Sequence, residues 1–322
     1  MTVQIITTRY QPGTALDDEL ATLGYAAMRG WPDQRPVTGA LVRSRLRPSG
    51  GTGPATSLIL ARTPAGNLAG AAALRHPAVP GTPARLWGPV IAPEWQRGGI
   101  GTRLLAHAQA FWVDRDTTVL TAEIPASRGH GCRLFERAGW ARRPGAVLLK
   151  GDITDTRDRG LAVRPLEPED SAALADLYLA INPGHGQAVA DDTYRRWSAD
   201  ERFVADGLLV IDGPGAALAA ATLVYPLIHA TCGEPAEVLV ADVLVHPGAD
   251  RAAVAGPLIA AGIAAGAKHG ALVARAIVPY TDRPLIGDLR RAGLDPVAET
   301  VYYQAPPAVA APCEEVSCAS AR

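Results

Sequence analysis

Arg85-Leu86-Trp87-Gly88-Pro89-Val90-Ile91-Ala92-Pro93-Glu94-Trp95-Gln96-Arg97-Gly98-Gly99-Ile100-Gly101-Thr102-Arg103-Leu104-Leu105 is the stretch whose reading decides the fold. An apolar run leads into a glycine-rich turn. The turn opens a segment with helical spacing, Ile100, Leu104 and Phe111 on one stripe with Leu105, Ala108 and Trp112 beside it. Glycines at 98, 99 and 101 leave the backbone free of Cβ atoms that would hold a ligand away. The first N–H groups of a helix lack intrahelical partners, and with the helix dipole they form an anion site. Arg97 and Arg103 add positive charge, so the expected ligand is a phosphate or pyrophosphate.

Several patterns compete for this turn, an ordinary strand–turn–helix junction among them. A Walker A loop ends in Gly-Lys-Ser/Thr, and no Lys is present here. A dinucleotide fingerprint needs a third glycine, which would fall at Leu104, and an acidic residue about 20 residues later. The pattern Gln/Arg-x-x-Gly-x-Gly/Ala is met by Gln96, Gly99 and Gly101, after a strand ending Val90-Ile91-Ala92-Pro93. This resembles motif A of the GCN5-related N-acetyltransferases (GNAT), which binds the pyrophosphate of acyl-CoA. The run Arg133-Leu134-Phe135-Glu136-Arg137-Ala138-Gly139-Trp140 resembles the later motif of that family, commonly Leu-Tyr-x-x-x-Gly-Phe.

The chain of 322 residues has room for two domains of ordinary size. Its net charge of −1 supplies no global field for nucleic acid or a membrane surface. Lys occurs only at Lys150 and Lys268 among many arginines, a coding bias that carries no function. Four scattered cysteines make no disulfide scaffold, and no metal site is expected. No signal-peptide pattern opens the chain, and the Ala-rich run 258–267 is too short and too broken by Gly to span a bilayer. A soluble cytoplasmic protein, monomer or homodimer, is expected.

In order, strands are predicted over 3–8, 57–62, 68–74, 84–92, 117–124 and 147–150, and helices over 15–28, 39–46, 99–113 and 128–138. Pro89 inside the 84–92 strand fits a bulge, where one N–H is already out of the ladder. The second half repeats this plan at a constant offset of 154, which carries Pro93 to Pro247, Arg97 to Arg251, Pro125 to Pro279 and Gly139 to Gly293. The expected fold class is therefore α/β, with two tandem GNAT folds, each a twisted mixed β-sheet flanked by helices. The expected domains are 1–150, a linker at 151–160, a degenerate copy at 161–304 and a disordered tail at 305–322. At the offset Gln96 becomes Asp250, Gly98 and Gly99 become Ala252 and Ala253, and Gly101 becomes Ala255. A carboxylate and three methyls occupy the place meant for phosphate, so the first copy is expected to hold acyl-CoA.

The resemblance implies direct transfer of an acyl group from acetyl-CoA, or another acyl-CoA, to an amine. Val90 or Ile91 would supply an N–H to the oxyanion, and Gln96, Arg97, Gly98, Gly99, Ile100, Gly101 and Thr102 the phosphate loop. Ser127, Arg128 and Phe135 stand at the later motif's cofactor positions, with Phe135 where a Tyr commonly protonates the leaving thiolate. The base is expected at Glu123, and a donor to the sulfur at His130 or Cys132. Trp31, Asp33 and Arg35, and in the second copy Asp191, Asp192 and Tyr194, lie in the segment that meets substrate in this family. Asp242 matches an acidic strand position, but in the weaker copy. The expected activity is N-acetylation of a small-molecule amine. A non-catalytic acyl-CoA-binding scaffold and a protein N-acetyltransferase are the alternatives.

Overall fold

The computed structural model describes residues 3–13, 15–29, 37–46, 56–76, 83–113, 119–153, 163–200, 202–215, 217–227 and 235–306. Trp31, Asp33 and Arg35 lie outside the described residues, as do the core of the expected linker and the tail beyond Pro306.

The first half runs β1 (Gln4–Arg9), α1 (Ala15–Ala27), α2 (Gly39–Leu46), β2 (Ser57–Arg62), β3 (Leu68–Arg75), β4 (Ala84–Ile91), α3 (Ile100–Val113), β5 (Leu120–Pro125), α4 (Gly129–Arg137), β6 (Ala141–Arg143) and β7 (Ala146–Asp152). The second runs β8 (Val163–Pro165), α5 (Ser171–Ile181), α6 (Gln187–Asp191), α7 (Thr193–Ser198), β9 (Leu208–Asp212), β10 (Leu218–Leu227), β11 (Glu237–Val245), α8 (Arg251–Lys268), β12 (Val273–Pro279), α9 (Arg283–Arg291) and β13 (Asp295–Gln304). The 154-residue offset maps α4 onto α9 residue for residue, and β6 with β7 onto β13. Gly151 and Asp152, expected in the linker, continue β7 and pair with Ala274 and Val273. Ala305, expected in the tail, still donates its N–H to Leu120 O at 2.9 Å.

All these strands join one mixed sheet in the order β1-β2-β3-β4-β5-β13-β7-β12-β11-β10-β9-β8, with β6 also on β13. The two halves therefore trade their last strands. Thr300 of β13 pairs with Pro125 of β5, and Ala146 of β7 pairs with Pro279 of β12, the same pairing moved by one repeat. β7 and β13 then pair antiparallel with each other. At the centre the equivalent residues 146 and 300 meet, the Thr300 hydroxyl accepting from the Ala146 N–H at 3.2 Å. Gly145 is required beside them, because a Cβ there would stand 1.7 Å from the Thr300 carbonyl oxygen. Each traded strand fills what would otherwise be an unpaired edge in the middle of a half.

Helices cover the sheet in two layers. On one face α3 and α4 pack Leu104, Leu105 and Phe135 against Leu86, Ala122 and Tyr303, and α8 and α9 pack Leu258, Ile259 and Leu289 against Val240, Ala276 and Leu149. On the other face α1 and α2 cover β2 and β3 through Leu20, Leu23, Val42 and Leu46, while α5 and α7 cover β9 and β10 through Leu174, Leu177 and Trp197. Among the described residues these last two cores form separate clusters, and β5, β13, β7 and β12 carry a helix layer on one face only.

Each half takes part of its core from the other. Tyr303 of β13 is fully buried in the first half's core and stacks on Phe135 at 5.3 Å between centroids. Leu149 of β7 is buried in the second. Losing one such side chain costs about 3 kcal/mol or more. Residues 1–155 expressed alone are therefore expected to lack a cooperative unfolding transition and to aggregate, while co-expression with 156–322 restores a compact species by gel filtration. A monomeric, cooperatively unfolding 1–155 fragment would count against the traded strands.

Candidate active site

The site begins where two parallel strands part. β4 and β5 pair only from Ala84–Leu120 to Leu86–Ala122, after which both strands run on unpaired with each other. On its other side β4 keeps to β3 through a register shift between Ala71 and Ala73, opposite Gly88 and Pro89. Gly88 has φ 86°, and a Cβ there would press on Ala71 O at 3.0 Å. This is the bulge expected from Pro89. The Ala92 N–H is bonded to Ala69 O at 3.0 Å. By the two-residue alternation of an antiparallel pair, Val90 also turns its amide to β3 and Ile91 turns its amide to the opening. Of the two amides, Ile91's is the one that faces the opening.

The strand ends in a short 3-10 turn, Pro93–Trp95, and the glycine loop follows. The Gln96 side-chain amide donates to Ile91 O at 3.1 Å, so Gln96 braces the strand end. Arg97 takes a left-handed φ of 63°, and Gly99 follows with φ 77°. A non-glycine residue held in that region costs about 1–2 kcal/mol and marks functional turns. The first helical bond is Arg103 N to Gly99 O at 3.1 Å, so the amides of Ile100, Gly101 and Thr102 have no intrahelical acceptor. Nothing lies within 4 Å of a Cβ built at Gly99, whereas one at Gly101 would meet Leu134 at 3.3 Å. Gly99 thus opens the loop to a ligand, and Gly101 lets α3 approach α4. Ile100 is buried, so it offers only its amide, and Gly98 and Thr102 are exposed. Arg103 does not face the loop's ligand side alone, since it donates to Val3 O at 3.2 Å.

The second half keeps the opening and loses the loop. β11 and β12 part after Val240–Ala276, the same pair moved by 154 from Leu86–Ala122. Helix α8 starts at Arg251, three residues earlier than the repeat of Ile100 would. The equivalents of Gly98 and Gly99 are consumed in that extra turn: Ala252 N donates to the Asp250 carboxylate at 3.0 Å, and Ala253 N to Asp250 O at 3.0 Å. Arg251 is bound to the buried Asp288 of α9 at 2.7 Å. The helix end that could receive an anion is capped by the chain's own carboxylate.

Glu123 is the first β5 residue beyond the parting of the strands and is exposed on the open face of the sheet. It pairs across to Tyr302, which the second half supplies on β13. The Tyr302 hydroxyl is held above the usual phenol range by burial first and by Glu123 second, with Arg85 opposing. His130 is exposed on α4 and bonded to Arg133 at 2.7 Å. Ser127 is exposed and Arg128 half-buried at the N-terminus of α4. Cys132 and Phe135 are buried in the core under α4, at 8% and 1% exposure, where Phe135 packs between Trp140 and Tyr303. Both side chains face the core beneath α4 and not its exposed face. The second-half carboxylates are engaged locally, Asp191 by Gln187 and Asp192 by Arg195. Sequence reading misses Tyr302, Arg45 and Arg85 at this site, because the traded strand brings Tyr302, the seating of α2 brings Arg45 and the β4–β5 pairing brings Arg85 to the face that carries Glu123; the repeat maps Tyr302 onto Leu148 and gives no hint of it.

Asp242 occupies the position of Gly88 in the second half, opposite Leu223 beside the matching bulge. Burial pushes its carboxyl up from 3.8 to about 6, against the pull of Arg196. The native state therefore keeps a proton that the unfolded chain releases, and stability falls as pH rises from about 4 to about 6. Asp242→Asn is expected to abolish that fall and to raise stability at pH 7 by on the order of 1–3 kcal/mol. Urea midpoints of both proteins at pH 4 and pH 7 test this; an unchanged or lowered midpoint for the variant at pH 7 contradicts it.

The acetyltransferase (GNAT) family model matches residues 25–140. No curated protein matches the chain by sequence. Solved structures resemble it along nearly its whole length. A GCN5-related N-acetyltransferase from Sphaerobacter thermophilus is 16% identical with a TM-score of 0.72, over 93% of this chain and 95% of that one. A tandem GNAT protein from the clavulanic acid biosynthesis pathway is 22% identical with a TM-score of 0.72, over 95% and 100%. Saccharomyces cerevisiae N-myristoyltransferase with bound myristoyl-CoA is 9% identical with a TM-score of 0.62, over 93% and 82%. The glycine loop, the parted strands and the repeat agree with these matches: residues 25–140 match the GNAT acetyltransferase family model, and the chain as a whole has the fold of the tandem GNAT proteins.

Proposed function

We propose that the chain is an acyl-CoA-dependent N-acetyltransferase acting on a small-molecule amine, with the cofactor held by the first half. The observation that carries this reading is the contrast at the two helix ends: free amides behind Gly99 in one half, and an Asp250 cap in the other. The residues present fit acyl-CoA. The amides of Ile100, Gly101 and Thr102 would meet the pyrophosphate. Pantetheine would lie between β4 and β5, where the strands leave backbone groups unpaired. Bound there, acyl-CoA supplies an activated thioester.

Glu123 stands where the amine would arrive and takes its proton, directly or through water, as the nitrogen attacks the carbonyl carbon. The Ile91 N–H stabilises the oxyanion. The carbon–sulfur bond then breaks and the sulfur departs as thiolate. A thiol with pKa near ~8.5 needs little assistance to leave near neutral pH, which suits a site whose Phe135 is buried.

Calorimetry is expected to give one acetyl-CoA per chain, and Gly99→Asp to abolish binding by setting a carboxylate where the pyrophosphate belongs. Two equivalent sites, or binding unchanged in the variant, would place the cofactor elsewhere.

For the chemistry, Glu123→Gln is expected to lower kcat about 100-fold or more while leaving acetyl-CoA affinity intact, read from release of free CoA thiol with an amine panel. Tight acetyl-CoA binding with no turnover on any amine would favour the scaffold reading instead.

A further inference from the structure

Among the described residues, the sheet over β5, β13, β7 and β12 is covered by helices on one face and by none on the other. Ala122, Val301, Tyr303, Val147, Leu149, Ala274 and Ala276 are buried beneath α3, α4, α8 and α9. The residues between them, Glu123, Tyr302, Leu148, Lys150, Arg275 and Ile277, point into the trough left between the α1–α2 and α5–α7 layers, and Ile277 is 44% exposed there. The trough runs from one half to the other past the parting of β4 and β5.

Its first-half wall is cationic. Arg75 and Arg85 stand directly opposite each other on β3 and β4. Like charges across an antiparallel pair are destabilising. Arg45 of α2 adds a third guanidinium, and Arg275 and Arg202 reach the same space from the second half. Arg202 is answered by Asp200 and Arg275 by Glu237, which also takes Lys150. Among the described residues no hydrogen bond or ion pair engages Arg45 or Arg85. Arg45 is accessible to solvent, yet its guanidinium is held below the usual arginine range, by desolvation first and then by Arg275 and Arg202, with Glu123 opposing. Arg75 is lowered likewise, by burial, then by Arg85 and Arg45.

This concentration of charge is held in place. Asp17, 1% exposed, accepts from Tyr10 and from the Gly13 amide at 2.8 Å and pairs with Arg43 of α2 at 3.3 Å. Thr56 donates to Leu46 O at 2.6 Å at the other end of α2. Val42 and Leu46 are buried beneath it. Arg45 is thus carried on a seated helix, and Arg45 and Arg85 are held beside Arg75 with no ion pair of their own among the described residues.

We propose that the trough recognises an acceptor amine that also carries an anionic group, a carboxylate or a phosphate, bound by Arg45 and Arg85 while its amine meets Glu123. Arg85 is level with Thr121, two residues before Glu123 on the same face of β5. That separation is roughly 7 Å along a strand, within the span of a small amino acid or aminoalkyl phosphate once the arginines reach inward. The inference rests on the acceptor reading given above and names its substrate class.

Two matched pairs test it with the full chain: γ-aminobutyrate against γ-aminobutyramide, and phosphoethanolamine against ethanolamine. The acid of at least one pair is expected to exceed its neutral partner about tenfold or more in kcat/KM with acetyl-CoA, as loss of a charged hydrogen bond requires. Which pair shows it separates carboxylate from phosphate. Arg45→Gln is expected to remove most of the preference through KM, with kcat and acetyl-CoA affinity retained. Calorimetric binding of the same compounds is measured independently of turnover. A preference for the acids in binding with no turnover supports this inference and sinks the acetyltransferase reading. Equal behaviour of acid and neutral partner in both pairs, no measurable binding or turnover of any of the four, or a preference intact in both Arg45→Gln and Arg85→Gln overturns the inference.

Discussion

The structure depends on one contact between equivalent points of a repeat. At Ala146 and Thr300 the last strands of the two halves cross, close enough that Gly145 has no room for a Cβ. From that crossing each strand runs into the sheet of the other half, Thr300–Gln304 onto β5 and Ala146–Asp152 onto β12. A gene duplication alone would leave two sheets, each with edges to protect. Trading the last strands converts two interior edges into ladder and makes the halves one folding unit. The same crossing fixes the relative position of the helix layers, and so the trough between them.

Symmetry of fold has not brought symmetry of the loop after the parted strands. Both halves keep the parted strands, at Leu86–Ala122 and Val240–Ala276. They differ in the turn that follows. Left-handed backbone at Arg97 and Gly99 delays the start of α3 and leaves amides without acceptors. In the second half, alanines prefer the helix, α8 starts a turn sooner, and Asp250 closes its end. The second half has instead become a supplier of parts: Tyr302 beside Glu123, Tyr303 under Phe135, and Arg275 in the trough. Among the described residues Arg45 and Arg85 carry no ion pair in that trough, which is what the proposed anionic ligand would answer.

Much of this was legible in the linear chain. The glycine loop, the bulge at Pro89, the offset of 154 and the loss of the loop in the second copy all rest on local properties: whether a Cβ is present, whether an N–H is present, and how apolar residues are spaced. Such properties act within a turn or two, so they survive being read without coordinates. Glu123 could be named from its strand alone.

Tertiary structure decided the rest, because it depends on which strand lies beside which. Two copies of one pattern are compatible with two separate domains or with traded strands, and the residues of β7 and β13 would alternate identically in either case. Only the ladder shows that Gly151 and Asp152 belong to a strand of the second half's sheet, that Phe135 and Cys132 face a core completed by Tyr303, and that Tyr302 faces Glu123. The choice between Val90 and Ile91 for the oxyanion amide likewise hangs on one hydrogen bond, Ala92 to Ala69, which sets the phase of the strand. The sequence by itself determined which half keeps the glycine loop and which replaces it with Asp250 and alanines. Pairing between residues more than a hundred positions apart decided where the site's remaining side chains come from, since sheet contacts are long-range and carry no local signature.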